Sequence, residues 1–380
     1  MTFAPQTQDE AVDIIRVSAA HKRSLKIVGG GTRQALGRDI AADDELNVSG
    51  LSGITLYEPA ELVMSARVGT PLALIEQELH SRGQFMAFEP PDYRGLLGSE
   101  GVPTIGGVFA TNASGPRRVA SGAARDHLLG VTLINGRSQL IRAGGRVMKN
   151  VTGLDLTKLV CGAYGTLGLM TEVTFKVLPQ PRFEQTLVVP TESIVHAIAL
   201  MTRALGSAFE VSGAAFCNNS VLLRLEGFIE SVRYRTGALA GFLKIEGQTI
   251  EAQESAQAWQ AIKSVGALKA QQDAEIWRLS VAPSKAAGLL GLLPEDCNVL
   301  LDWSAGLIWV ASEAPIEHAM RPAVGEVGGH LMLFRARADR RQAVSPFHPL
   351  TNGTRRLTQG LKASMDPSGI FNPGKMYKDI

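Results

Sequence analysis

Residues 144–181 read GGRVMKNVTGLDLTKLVCGAYGTLGLMTEVTFKVLPQP, and this stretch decides the fold. Its glycines are Gly144, Gly145, Gly153, Gly162, Gly165 and Gly168. From Leu169 to Leu178 apolar and polar residues alternate with a period of two, which predicts a half-buried strand. Because glycine lets main-chain amides approach a bound group closely, Gly162, Gly165 and Gly168 are interpreted as walls for a flat ligand. A hairpin-rich loop remains the alternative.

A second glycine run follows a short apolar strand near the N-terminus. The predicted strand Leu25–Val28 leads into Gly29-Gly30-Gly31-Thr32. Consecutive small residues can direct several N–H groups at one point, which suits a pyrophosphate. The run is not a Rossmann fingerprint, because the third glycine of that motif would fall at position 34, where Gln34 stands. A simple loop is the alternative interpretation.

The third glycine-rich region lies between Phe88 and Val131, and it is too long for an idle connector. Its two motifs are Thr104-Ile105-Gly106-Gly107 and Asn112-Ala113-Ser114-Gly115. Main-chain amides with short hydroxyl and amide side chains can hold ribityl and phosphate oxygens, although a pair of tight turns would use the same residues. Asn135-Gly136 then predicts a hairpin with a two-residue turn.

Two helices carry recognisable end signals in this part of the chain. Thr7 and Glu10 fit a capping box, which predicts a helix that ends near His21. Thr70 is predicted to cap a second helix, with Pro71 at its first position and Gly83 just past its end.

Beyond Phe183 the glycine clusters thin out, and strand and helix patterns alternate. We interpret residues 182–345 as two related βαββα units whose sheets can join into a cap over a ligand. In the first unit, Thr191 is predicted to cap a helix. The strands Phe209–Phe216 and Val221–Glu226 are predicted to follow it, and Gln253–Val265 is predicted to be a linking helix.

The bulk properties exclude several classes of protein. A chain of 380 residues predicts two domains, and a net charge of +2 gives no broad basic surface for nucleic acid. Three separated cysteines predict no disulfide framework, no iron–sulfur site and a reducing compartment. No secretory leader or membrane span is expected, so we predict a cytoplasmic protein that reaches the inner membrane face only through partners. The G-x-x-x-x-G-K match at Gly369–Lys375 is rejected as a nucleotide loop, because Met376 follows it and Pro373 lacks an amide.

Three blocks together resemble the flavin-binding family that includes vanillyl-alcohol oxidase and p-cresol methylhydroxylase. They are VGGGT at 28–32, TIGGVFATNASG at 104–115, and residues 149–177, and DPSGIFNPGK follows near the C-terminus. Within that family the chain looks like the FAD-binding subunits of bacterial glycolate oxidases, which act in glyoxylate metabolism. The resemblance implies an α+β fold: a two-lobed FAD-binding domain at 1–181, a cap domain on an antiparallel sheet at 182–345, and a segment at 346–380 that returns to the FAD domain.

The same resemblance implies a set of residues for non-covalent FAD, since Thr32 stands where some members carry a histidine that attaches the flavin. The implied cofactor-binding residues are Val28, Gly29, Gly30, Gly31, Thr32, Pro91, Asp92, Thr104, Ile105, Gly106, Gly107, Asn112, Gly115, Gly165, Thr166, Gly168 and Val173.

The chain departs from the catalytic members at the histidine-rich stretch that binds their metal. Residues 326–331 read EVGGHL, and a lone His330 predicts no metal site. His330, Arg335 and His348 are candidates for a catalytic role, with a core histidine as the alternative for His330. Arg117, Arg118 and Arg125 are candidates for binding a carboxylate, or simply solvated charges.

The resemblance implies an FAD-linked oxidoreductase subunit that acts on the CH–OH group of 2-hydroxy acids such as glycolate. Its implied partners are a homologous catalytic flavin subunit, which carries most of the hydride transfer, and an iron–sulfur subunit. The alternatives are a self-sufficient 2-hydroxy-acid dehydrogenase and a non-catalytic assembly subunit that retains the flavin fold.

Overall fold

The structure is a computed structural model that describes residues 1–146 and 154–380. Lys149 to Gly153, which open the third glycine block of the sequence, lie outside the described residues. The predicted mixed α+β class is confirmed, with separate sheets in the two halves of the chain.

The first half contains ten strands and seven helices among its described residues. They are β1 (Thr2–Phe3), α1 (Gln8–Ala20), β2 (Leu25–Val28), β3 (Asp44–Asn47), β4 (Ile54–Glu58), β5 (Val63–Arg67), α2 (Leu72–Ser81), β6 (Gln84–Phe85), α3 (Arg94–Leu97), α4 (Ile105–Thr111), α5 (Arg118–Ser121), α6 (Ala124–His127), β7 (Leu128–Ile134), β8 (Leu140–Gly144), α7 (Leu156–Val160), β9 (Leu169–Lys176) and β10 (Leu178–Pro179).

A small parallel sheet carries the first glycine run. Its strand order is β1-β3-β2, and Phe371 near the C-terminus adds a parallel bridge beside Leu25. The helix α1 begins with the predicted capping box of Thr7 and Glu10, which is confirmed. Since β2 ends at Val28, the glycine run starts at the end of a strand that is paired on both sides.

The second sheet of this half is antiparallel, with the order β4-β5-β9-β7-β8. The alternating stretch of the sequence forms its central strand β9, in which Val173 lies between Ala66 and Val131. Val173 and Phe175 are fully buried while Glu172 and Lys176 are partly exposed, which confirms the predicted alternation.

Three local predictions in this half are wrong in detail. Asn135-Gly136 does begin the β7–β8 hairpin, but Ile134 pairs with Leu140, so the connection is five residues long. Thr70 does not cap α2, because its hydroxyl donates to the main-chain oxygen of Arg67, and Pro71 is the cap residue. The residues from 88 to 131 form four short helices that the weak periodicity did not predict.

The second half contains eight strands and seven helices among the residues described. They are β11 (Phe183–Pro190), α8 (Ile194–Leu205), β12 (Gly213–Cys217), β13 (Ser220–Gly227), α9 (Ile229–Leu243), β14 (Gln248–Glu251), α10 (Ala252–Lys263), β15 (Glu275–Ser280), α11 (Pro283–Leu290), β16 (Asn298–Asp302), β17 (Leu307–Ser312), α12 (Glu317–Glu326), β18 (His330–Arg335), α13 (Ala338–Ala343) and α14 (Asn352–Met365).

All eight of these strands form one antiparallel sheet, in the order β14-β11-β13-β12-β16-β17-β15-β18. The two strand–helix repeats of the sequence meet where Phe216 of β12 pairs with Leu301 of β16. One face packs on α8, α9, α11 and α12. The other face, which carries Ile276 and Phe334, joins the core of the first half. The sheet is therefore buried on both faces, and its inner face borders the first half.

The predicted ends of two elements differ from those observed. Ser193 caps α8, while the hydroxyl of Thr191 accepts a hydrogen bond from the Ser193 amide. The strand β12 begins at Gly213 instead of Phe209. Asn218 and Asn219 form the two-residue turn that joins β12 to β13, and both have positive φ, which asparagine tolerates better than most residues.

A buried ion cluster fixes the two halves together. Glu89 lies 3.0 Å from Arg117 and 3.0 Å from Arg224 of β13, and Arg117 also pairs with Glu226. Burial alone would raise the pKa of Glu89, but the two guanidinium groups outweigh it and lower that pKa to about 2. Arg117 is therefore committed to structural ion pairs and is not free to bind a substrate carboxylate, contrary to its candidacy from sequence.

Candidate functional site: two adjoining cavities

A cleft of about 890 Å³ lies between the parallel sheet, α4 and the start of β9. We call it the glycine cavity. Its lining includes the predicted residues Val28, Gly29, Gly30, Gly31, Thr32, Thr104, Gly106, Gly107, Gly165 and Gly168. The three separate runs of small residues in the sequence therefore converge on one site.

The glycine cavity suits an anionic, extended ligand. Within the described part of the chain, the amides of Gly29, Gly30, Gly31 and Thr32 donate to no acceptor, so they remain available to a ligand. The charged residues that line the cavity are cations, Lys26, Arg33 and Lys375. Unpaired amides beside fixed positive charges fit the pyrophosphate of a dinucleotide.

Gly30 has a packing role that the sequence does not reveal. A Cβ atom built on Gly30 would lie 1.6 Å from the carbonyl oxygen of Val102, and one on Gly101 would lie 1.6 Å from the oxygen of Gly30. The two loops therefore touch main chain to main chain, and glycine is required at both positions. A Cβ on Gly107 would meet Thr104 and Arg33 only at 3.6 and 3.7 Å, so this position has room for a side chain beside the cavity.

The C-terminal segment closes one side of the glycine cavity. Asn372 accepts a hydrogen bond from the Ile27 amide at 2.8 Å and donates to the Tyr164 oxygen at 2.8 Å. Lys375 donates to the Gln34 oxygen at 2.9 Å. Asn372, Lys375 and Tyr164 were not among the predicted site residues, although the first two lie in the DPSGIFNPGK motif that accompanied the resemblance.

The remaining predicted cofactor residues do not line the glycine cavity. Ile105 and Val173 are fully buried in the core, and the Thr166 hydroxyl donates to the Ala163 oxygen. The Pro91 oxygen accepts from Arg33, and Asp92 pairs with Arg94 at 2.7 Å. Asn112 lines the second cavity described below, and the main-chain oxygen of Gly115 accepts a hydrogen bond from Trp303.

A second cavity, of about 1320 Å³, lies between the first half and the inner face of the eight-stranded sheet. We call it the arginine cavity, because its lining contains Arg33, Arg118, Arg125 and Arg278. It shares Arg33, Thr111 and Tyr164 with the glycine cavity, so the two adjoin. A ligand held along the glycine run can thus present one end to the arginine cavity.

Tyr164 stands at the junction of the two cavities in a left-handed backbone conformation, with φ of 54°. Its ring packs edge-on against Phe347 with centroids 5.1 Å apart. Burial raises the pKa of its hydroxyl to about 12, so the phenol stays protonated at neutral pH. A non-glycine residue held at positive φ is uncommon and is found preferentially at functional sites.

Of the three residues predicted as candidates for a catalytic role, His330 and His348 line the arginine cavity and Arg335 does not. The rings of His330 and His348 are 5.7 Å apart, edge to face. Burial, followed by the charges of His330 and Arg321, lowers the pKa of His348, which keeps its imidazole neutral at pH 7. Arg335 instead donates to the main-chain oxygens of Gln271 and Ala274, so it supports a loop.

Neither cavity offers a cluster of metal ligands. Among residues 1–146 and 154–380, no group of three or more His, Cys, Asp or Glu side chains is placed to hold an ion. In the same residues, no helix combines the length and apolarity needed to cross a bilayer.

The comparisons with known proteins agree with this geometry. A family model described as FAD binding domain matches residues 1–144, which contain the glycine run and α4. A solved structure of alkyldihydroxyacetonephosphate synthase shares the fold, with a TM-score of 0.69 over 98% of this chain and 76% of that chain at 14% identity. The fold and the cavities therefore define an FAD-binding flavoprotein, and the predicted cofactor, FAD, is confirmed.

The relatives identify the family more narrowly. The chain is 36% identical over 366 residues to glycolate oxidase subunit GlcE of Escherichia coli (strain K12), covering 96% of both chains. It is 27% identical to glycolate oxidase subunit GlcD of Bacillus subtilis (strain 168) over 60% of this chain and 47% of the relative, and 27% identical to a D-lactate dehydrogenase of Anaerostipes hadrus over 59% and 47%. The chain belongs to the family of glycolate oxidase subunit GlcE, which confirms the family predicted from the sequence.

Proposed function

We propose that this chain is the FAD-binding subunit of a complex that oxidises glycolate or a related 2-hydroxy acid to the 2-oxo acid. The observation that carries the proposal is the convergence of three glycine runs on one cation-lined cavity that adjoins a second cavity rich in arginine. The names of the relatives, glycolate oxidase subunits and a D-lactate dehydrogenase, support this reaction class.

FAD bound here would supply a redox centre that accepts a hydride at the flavin ring. The chain's own residues would bind and position the cofactor. Gly29–Thr32 would bind the pyrophosphate through their free amides, with Lys26 and Lys375 supplying positive charge. Gly165 and Tyr164 would border the part of the cofactor nearest the arginine cavity. Thr32 stands where some members of the family carry the histidine that attaches the flavin, so we propose non-covalent binding.

The placement of partners is also a proposal. Two of the relatives are named as glycolate oxidase subunits, which supports assembly with a homologous flavin subunit. An iron–sulfur subunit completes the proposed complex. We further propose that residues 1–181, with 346–380, form the FAD-binding domain and that 182–345 form the cap. The three cysteines are unpaired in the structure, which supports a reducing, cytoplasmic location.

The proposal is tested on the purified chain. The protein should be yellow, with the absorption spectrum of a flavin, and denaturation should release FAD into the filtrate. A colourless preparation that does not take up added FAD would contradict the proposal.

A second candidate function is a self-sufficient dehydrogenase. It is favoured by His348, which borders the arginine cavity beside His330, since a neutral imidazole can accept a hydroxyl proton. Mixing the isolated holoprotein with glycolate or D-lactate under anaerobic conditions distinguishes the two. Bleaching of its own flavin supports the dehydrogenase, whereas bleaching only in the presence of the partner subunits supports the complex.

A further inference from the structure

Two arginines border the arginine cavity from opposite halves of the chain. Arg118 is the first residue of α5, and Arg278 lies on β15. Within residues 1–146 and 154–380, neither guanidinium group pairs with a carboxylate within 4.0 Å or donates a side-chain hydrogen bond. Residues 147–153, VMKNVTG, contain no acid. Among the described residues, these two charges are thus left without a carboxylate partner or a hydrogen-bond acceptor.

Trp303 provides a common platform for the two arginines. The Cζ atom of Arg118 lies 4.2 Å from the centre of the Trp303 ring system, and that of Arg278 lies 5.5 Å from it. The indole is itself fixed, because its nitrogen donates to the Gly115 oxygen at 2.9 Å. Stacking on an aromatic face holds a guanidinium in place while its N–H edges stay free to bind an anion.

The excess of positive charge in the arginine cavity also favours binding of an anion. Its lining contains four arginines and no aspartate or glutamate. Burial and then the neighbouring charge of Arg278 lower the pKa of Arg118, while the charge of Asp126 acts in the opposite direction. An anion bound between the two guanidinium groups would relieve their repulsion. The planar fork of arginine matches a carboxylate in two parallel hydrogen bonds.

We propose that Arg118 and Arg278 together bind the carboxylate of a small 2-hydroxy or 2-oxo acid within this chain. The inference rests on the proposed function and deepens it, because it gives this subunit a substrate-binding site of its own. Since one arginine belongs to each half, the bound acid would bridge the first half and the eight-stranded sheet beside the junction residue Tyr164.

The test uses the holoprotein and oxalate, a small carboxylate without a C–H bond to oxidise. Isothermal titration should detect oxalate binding to the unaltered protein. Arg118→Met and Arg278→Met, which keep an unbranched apolar stem but remove the guanidinium group, should each weaken binding about tenfold or more, since a charged hydrogen bond is worth roughly 1.5–3 kcal/mol. Arg278→Lys, which keeps the charge but loses the fork, should fall between. Arg142→Met, an equal loss of charge at an exposed position on β8, should bind oxalate as the unaltered protein does.

Absence of oxalate binding to the unaltered protein, or equal binding by all four variants, would overturn the inference. Equal competition by inorganic sulfate would also overturn it, because the site would then recognise anions in general. The flavin absorbance of each variant separates this inference from the proposed function. If the unaltered protein is yellow but does not bind oxalate, only the carboxylate site is refuted. If the unaltered protein does not hold FAD, the proposed function itself is refuted.

Discussion

The indole nitrogen of Trp303 donates a hydrogen bond to the main-chain oxygen of Gly115 at a distance of 2.9 Å. Trp303 lies in the connection between β16 and β17, and Gly115 lies three residues before α5, so this bond joins the two halves. Residues 303–305 all have left-handed φ, at 53°, 56° and 65°. Such conformations cost roughly 1–3 kcal/mol each, so the surrounding packing must hold the connection in place.

Trp303→Phe should lower the free energy of unfolding by about 1–3 kcal/mol, because the buried Gly115 oxygen loses its donor. Urea denaturation measures this change. Trp309→Phe is the matched control, since Trp309 is also buried and its indole nitrogen has no acceptor among the described residues. If both variants lose the same stability, the hydrogen bond to Gly115 contributes nothing beyond the loss of apolar area.

Glu89→Gln should destabilise the protein by about 3–5 kcal/mol at pH 7, because it leaves Arg117 and Arg224 buried without their shared carboxylate. The folded pKa of Glu89, about 2, lies below its ordinary value of 4.5. Its contribution is therefore present above that ordinary value and is lost as the pH falls toward 2. Between pH 7 and pH 3, the free energy of unfolding obtained from denaturation curves should consequently fall less steeply for the variant than for the unaltered protein.

The exposed Glu100 provides the control for this experiment. Glu100→Gln should leave the stability at pH 7 unchanged. A Glu89→Gln protein that is as stable as the Glu100→Gln protein would contradict a bridging role for the cluster.

Asp302→Asn should change the pH dependence of stability in the direction opposite to Glu89→Gln. Burial raises the pKa of Asp302 from 3.8 to about 7, so the folded state holds a proton that the unfolded state releases. Stability should therefore decline as the pH rises from about 4 to about 7, by on the order of 1–4 kcal/mol from this group. The asparagine variant cannot ionise, and its stability relative to the unaltered protein should be greater at pH 8 than at pH 5. Parallel profiles for the two proteins would contradict the assignment.

Gly107→Asp tests the glycine cavity directly. Since Gly107 lines the cavity, the added carboxylate would place a negative charge inside the proposed binding site for an anionic dinucleotide and should weaken FAD binding about tenfold or more, because like charges at close range repel by more than 1 kcal/mol. Gly107→Ala is the control, because its Cβ has ordinary contacts with Thr104 and Arg33. FAD affinity is measured by titrating the apoprotein. Gly30→Asp is unsuitable for this purpose, because its side chain would collide with Val102 and disrupt the fold.

Much of the first half could be predicted because its signals are local. The capping box at Thr7, the alternation in β9 and the glycine runs are each contained within about a dozen residues, and their consequences depend on short-range geometry. The helices between residues 88 and 131 escaped prediction because three of them have only four residues, too few to establish a period.

Arg278 was not predicted as a site residue, although its position in the sequence is unusual. In Glu275–Ser280 the residues Ile276, Arg278 and Ser280 share a strand face, so the sequence placed a charge beside apolar residues in the middle of a buried strand. Nothing local, however, indicated that this face would border Arg118.

The sequence by itself determined the family, the cofactor and the main elements, because glycine spacing and apolar periodicity act through the backbone nearby. Only the tertiary structure decided that Arg117 is neutralised by Glu89 and Glu226 while its neighbour Arg118 remains unpaired beside Trp303. The reason is physical: whether a charge is paired depends on which distant strands are brought beside it, and β13 and β15 reach this region only when the eight-stranded sheet docks on the first half.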